Sequence, residues 1–161
     1  MGGQHLNKGK QFEAQFKKCW EKSFPASFIY RLNDQMSGYR VSSRNICDFI
    51  CFNEGILYLI ECKSHNGNIF PLANLTQFDK LKEKVGIPGV RAGVVIWFIE
   101  HKKVIYVPIS TFIKLKEDEK KSFNIKMLGN EDYFSLEIPG KVKRLFIDSD
   151  YSVLKNLKDG Q

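Results

Sequence analysis

Two runs of β-branched and aromatic residues, 46–52 and 56–63, are separated only by Asn53, Glu54 and Gly55. That spacer has the composition of a tight hairpin turn, so the two runs are predicted to be adjacent antiparallel strands. Charges interrupt these strands where apolar residues are the rule. Asp48 stands in CDFICF, and Glu61 and Lys63 stand in LYLIECKS. A carboxylate among such neighbours is costly to bury without a partner.

The rest of the chain supplies material to cover that hairpin. Asn7 is a plausible N-cap, and Phe12, Phe16 and Trp20 recur every four residues up to Lys22, which places one aromatic stripe on a helix that Pro25 ends. Residues 27–44 read as a short strand followed by an exposed turn. A loop over 65–71 leads to a predicted helix over 74–84, with Leu75, Phe78 and Leu81 facing inward. Strands are predicted over 92–99 and 104–107, the first nearly all apolar and therefore central. Ser110 is predicted to cap a short helix. A solvated Lys/Glu-rich stretch follows to 122, then a strand over 142–147 and a closing helix over 151–157. With no repeat and no long linker, residues 1–161 read as one domain of mixed α/β class around one sheet.

Composition narrows the class further. A hydrophobic fraction of 43% excludes intrinsic disorder. No run approaches the roughly 18 apolar residues of a membrane span, and MGGQHLNKGK lacks the apolar stretch of a secretory signal, so a cytoplasmic location is expected. Cys19, Cys47, Cys51 and Cys62 form no CxxC pair and read as reduced, buried thiols. Trp20 and Trp97 lie on apolar faces and read as core. Lys and Arg total 25 against 18 Asp and Glu, a formal net charge of +7, which favours a polyanionic partner without specifying one.

The chemistry rests on the hairpin. Glu61 and Lys63, two residues apart on a strand, share a face. A two-residue Glu54–Gly55 turn sets Asp48 opposite Glu61, whereas a three-residue turn with a bulge at Gly55 shifts the register by one and turns Asp48 away. Opposed side chains have Cβ atoms about 4.5–5.5 Å apart, where like charges repel unless neutralised. Oxygen-only ligands with positions left for water and phosphate suit Mg²⁺, with Mn²⁺ as a substitute. An ammonium at Lys63 can then orient a nucleophile and offset charge on phosphate. The plainer alternative is an ordinary Glu61–Lys63 surface ion pair with Asp48 at the sheet rim. Glu13 beside the aromatic stripe and Gln77 in the following helix lie where the same site could reach them.

In that order, Glu13, Asp48, Glu61-Cys62-Lys63 and Gln77 resemble the PD-(D/E)XK nuclease superfamily. Within it, GKQFEAQF, YRLND, CDFICFNEGILYLIECKS and FPLANLTQF resemble RecU-type Holliday junction resolvases, especially the shorter phage-encoded relatives, over about residues 9–81. The resemblance implies a restriction-endonuclease-like central mixed β-sheet flanked by helices. It also implies a Mg²⁺-dependent homodimer that nicks four-way DNA junctions in recombination and repair, in a bacterial or phage-infected cell. Asp48 and Glu61 would be metal ligands, Lys63 would position the attacking water, Glu13 would support the metal or its water shell, and Gln77 would orient Lys63 or the scissile phosphate. Arg31 and Arg44 are candidate phosphate contacts, as is the cluster Lys141, Lys143 and Arg144, which has no acidic neighbour before Asp148. Position 47 is Cys where Pro is common in the superfamily, and residues 25–46 are too few for the projecting stalk of the bacterial enzymes. A less structure-selective nuclease and a non-catalytic DNA-binding protein on the same fold are the competing readings.

Overall fold

The computed structural model describes residues 7–33 and 45–161. Helix α1 (Lys8–Ser23) is opened by Asn7, whose side-chain oxygen accepts the N–H groups of Gly9 and Lys10. Its buried residues are Phe12, Phe16, Cys19 and Trp20, the stripe set by the four-residue spacing. Strands β1 (Phe28–Arg31), β2 (Phe49–Asn53) and β3 (Ile56–His65) follow. The hairpin turn has two residues: Asn53 pairs with Ile56, and Glu54 and Gly55 sit at φ +49° and +81°. Positive φ at both positions is the signature of a type I′ turn, whose twist matches that of the strands.

Beyond the hairpin come β4 (Ile69–Pro71), a 3₁₀ turn at Leu72–Asn74, α2 (Phe78–Lys82), β5 (Val90–Phe98) and β6 (Lys103–Pro108). They are followed by α3 (Ile109–Glu117), β7 (Ser122–Asn124), β8 (Leu136–Ile138), β9 (Gly140–Val142), β10 (Ile147–Ser149) and a 3₁₀ helix at Tyr151–Asn156. Six strands make one mixed sheet in the order β1-β2-β3-β5-β6-β8, parallel between β3 and β5 and antiparallel elsewhere.

Strand β3 is the hub, laddered to β2 on one side and β5 on the other. Tyr58, Ile60 and Cys62 face the α1 stripe, whereas Leu59 faces a second core with Phe78 and Leu81 of α2 and Phe112 and Leu115 of α3. Covered on both faces, β3 has no need of a polar side, which explains its near-continuous apolar run. Alternation puts Glu61 and Lys63 on the Leu59 side.

Four sequence expectations are corrected. The helix over 74–84 is broken: Leu75 leaves helical geometry at φ −92°, ψ 78°, and α2 is only five residues long. Leu75 and Phe78 each donate an N–H three residues back, to Leu72 and Leu75. Apolar residues at every third position fit 3₁₀ turns as well as they fit a helix. Residues 142–147 are not one strand; Val142 pairs with Ile147 across the β9–β10 hairpin, closed by the Lys143 N–H on the Phe146 carbonyl at 2.8 Å. Ser110 does not cap α3, which starts after Pro108; its hydroxyl donates instead to the Gly160 carbonyl at 2.7 Å. The first hairpin strand begins at Phe49 rather than at 46.

A Cβ on Gly93 would lie 2.2 Å from the ring of Tyr106, which is fully buried. Gly93→Ala is therefore expected to destabilise the protein by about 1–3 kcal/mol, the cost of overpacking a dense core. Urea denaturation of the variant against the parent measures it, and equal midpoints would mean the ring has room to move.

Candidate metal centre

The β2–β3 ladder keeps the two-residue register as far as Phe49 opposite Ile60. One step further it departs. The Asp48 N–H bonds the Ile60 carbonyl at 3.2 Å, and Cys47 packs in the Leu59–Phe78 core, the opposite side from that which alternation from Phe49 dictates. Asp48 is consequently not a ladder partner of Glu61. Its carboxylate reaches along β3 instead, where Oδ2 accepts the N–H of Cys62 at 2.8 Å. That bond fixes Asp48 against the Glu61–Cys62 peptide.

Glu61 is 2% exposed. One of its oxygens, Oε1, accepts from Lys63 Nζ at 3.0 Å; the other, Oε2, is buried and has no hydrogen-bond partner among the described residues. Burial pushes the Glu61 carboxyl up from the usual range, the Asp48 charge adds to the shift, and Lys63 opposes it. Burial likewise raises Asp48, opposed first by the Cys62 N–H, while the Glu13 charge adds to the rise. A buried Glu61 with one orphaned oxygen and a half-buried Asp48 form a donor set that a hard divalent cation fits. Among the described residues, no three His, Cys, Asp or Glu side chains form a ready ligand cluster. Carboxylate oxygens as the candidate donors suit Mg²⁺ or Mn²⁺ better than a structural zinc, which takes thiolate and imidazole ligands.

The other sequence candidates divide. Glu13, on α1, is close enough for its charge to act on both carboxyls, but its Oε2 accepts from Arg31 Nε at 2.9 Å and from a second guanidinium N–H. Arg31, read from sequence as a phosphate contact, is thus the ion-pair partner of Glu13. Gln77 is the residue preceding α2, and its side-chain oxygen accepts the Thr76 hydroxyl at 3.0 Å; none of its hydrogen bonds among the described residues goes to Lys63. Arg44 lies outside the described residues. Lys141, Lys143 and Arg144 are exposed on the β9–β10 hairpin. Sequence reasoning missed the Cys62 N–H, and nothing could have flagged it, because every residue but proline carries that donor. The Glu13–Arg31 pair had only the signal of opposite charges on neighbouring elements.

No family model matches the chain, and none of the curated proteins compared matches it in sequence. Among solved structures it is similar to Archaeoglobus fulgidus Hjc, a Holliday junction resolvase from an archaeal hyperthermophile, with a TM-score of 0.52 and 18% sequence identity over 78% of this chain and 91% of that one. A likeness at this identity shows the fold: a restriction-endonuclease-like mixed sheet flanked by helices, as the sequence predicted.

The raised carboxyls set a pH dependence. A carboxyl whose folded pKa exceeds its unfolded value, about 3.9 for Asp and 4.3 for Glu, contributes stability only while protonated. That contribution is complete below the unfolded values and is lost as pH rises through the folded ones. Metal-free protein should therefore lose stability as pH climbs from the ordinary carboxylate range through the raised values. Asp48→Asn and Glu61→Gln should flatten the loss and raise Tm at pH 8, by roughly 2–4 °C per kcal/mol relieved. Thermal denaturation in chelator across pH checks this; parallel curves for parent and variants would contradict it.

Proposed function

We propose that this chain is a metal-dependent DNA endonuclease that resolves four-way junctions, acting as a homodimer. One observation carries the reading: a buried Glu61 with an oxygen unpartnered among the described residues, held beside Asp48 and 3.0 Å from the ammonium of Lys63. An ion pair at a surface would leave neither carboxylate desolvated, and a purely structural strand would not place a second acid there. The likeness to a solved Holliday junction resolvase supports the substrate class.

Asp48 and Glu61 would hold Mg²⁺, which when bound supplies charge neutralisation at the phosphate and lowers the pKa of water. The chain's own residues do the positioning. The Cys62 N–H fixes the Asp48 carboxylate, and the Glu61 Oε1 fixes the Lys63 ammonium. Lys63, partly exposed, can present a positive charge to the attacking water and to the phosphate oxygens as negative charge grows on them. Glu13, held by Arg31, adds negative field that disfavours the ionised pair on its own and would attract a cation to it. Gln77 remains a candidate for orienting Lys63 or the scissile phosphate, and Arg31, Arg44, Lys141, Lys143 and Arg144 for phosphate contact.

Replacing Asp48, Glu61 or Lys63 with Ala should lower Mg²⁺-dependent cleavage of a four-way junction by at least about 10²-fold, while binding in chelator stays close to the parent's, since affinity comes mainly from phosphate neutralisation elsewhere. Cleavage assays with gel-shift controls measure both, and parental rates in Asp48→Ala would refute the reading. Four-way, flap and linear duplex substrates compared side by side test the junction preference. Mn²⁺ at a hundredfold excess over its Kd should stabilise the parent by about 2.7 kcal/mol and leave Glu61→Gln nearly unmoved.

A further inference from the structure

On the α1 side of the sheet, a cleft of about 310 Å³ lies between the first turn of α1, the β5–β6 turn and the β9–β10 hairpin. Four cations line it, Lys8, Lys102, Lys143 and Arg144, and among the described residues no Asp or Glu does. None of the four is in an ion pair among the described residues. The acid on the hairpin itself, Asp148, gives its carboxylate to Lys22 at 2.9 Å. The walls are apolar: Trp97, Phe146, and the hairpin's Val142 and Leu145, which are 51% and 62% exposed. A hydrogen bond from Gln11 Nε2 to the Leu145 carbonyl, at 3.3 Å, ties the hairpin to α1.

The position relates this cleft to the candidate metal centre. Trp97 pairs with Ser64, one residue past Lys63 on β3, but belongs to the α1 core rather than to the face that carries Glu61. The cleft therefore lies near the same end of β3 and β5 as Lys63, on the opposite face of the sheet.

Apolar walls under four cations that form no ion pair among the described residues suit a ligand with a flat apolar body and several negative charges. A second copy of this chain fits this cleft poorly, since four cations here would need an acidic face opposite them. Duplex DNA offers the phosphates but keeps its base faces stacked inside. An unpaired nucleotide offers both. We propose that the cleft binds an unpaired nucleotide of a DNA strand, its base against Leu145, Phe146 and the edge of Trp97, its flanking phosphates on Lys8, Lys102, Lys143 and Arg144. The proposal rests on the DNA-directed reading of the fold and adds a second, non-catalytic contact to it.

The test uses the full chain in EDTA, where nothing is cut. Trp97 lines the cleft and the other tryptophan, Trp20, is fully buried, so intrinsic fluorescence reports on the site. Titration with a short oligothymidylate should change the emission saturably in the parent and not in Trp97→Phe. Lys102→Asn combined with Lys143→Gln should weaken binding about tenfold and reduce the slope of log K against log salt by about 1.4, some 0.7 per lost phosphate contact. Lys102 sits at φ +52°, which Asn adopts more readily, so that change should not cost stability and a folding defect can be told apart by thermal denaturation. Unchanged affinity in the folded double variant would overturn the proposal. So would an equal response to blunt duplex, to pyrophosphate alone, or to protein concentration without DNA. Because the readout needs neither metal nor cleavage, its failure leaves the nuclease reading standing, and an uncut junction leaves the cleft standing.

Discussion

A carboxylate oxygen sealed inside a sheet with no donor to meet it among the described residues, Glu61 Oε2, is the constraint around which this molecule is arranged. An isolated buried ion costs several kcal/mol even after the protein relaxes. Strand β3 can carry it only because ladders to β2 and β5 and two hydrophobic cores hold that strand on both edges and both faces. The same rigidity fixes Asp48 through the Cys62 N–H, so the two acids cannot relax apart. Like charges held close by packing are how a fold preorganises a cation site.

The positive charge is divided in a way that follows from this. Lys63 and Arg31 are consumed locally, one on Glu61 and the other on Glu13, and they moderate the negative field without cancelling it. The four cations of the cleft form no ion pair among the described residues and lie beyond the end of the central strands. Negative centre and positive periphery suit a polyanion that must be held broadly and approached closely at one phosphate.

The legible part of the fold was whatever a short window decides. Asn53-Glu54-Gly55 allowed a two-residue turn, and that turn set the register from Asn53–Ile56 to Phe49–Ile60. Asn7 and the spacing of Phe12, Phe16 and Trp20 located α1 almost to the residue. Residues 74–84 misled because an apolar residue at every third position satisfies both an α-helix and successive 3₁₀ turns, and only contact with the second core decides between them. Residues 142–147 misled because short apolar and basic stretches do not show whether they join the main sheet or fold back on themselves. At the site, the acids and the lysine were legible as charges out of place in strands, while the kink at residues 47–48 was not.

By itself, then, the sequence determined the hairpin, the aromatic helix, the placing of Glu61 and Lys63 on one face, and the proximity of Asp48, because turn length and strand alternation are local geometry. Only the tertiary structure decided that Asp48 turns to the Cys62 N–H, that Arg31 pairs with Glu13, and that Gln77 bonds Thr76. It alone also gathered Lys8, Lys102, Lys143 and Arg144 around one cleft. Those outcomes depend on which surfaces meet when separate segments pack, and a side chain's partner is chosen by that meeting rather than by its neighbours in the chain.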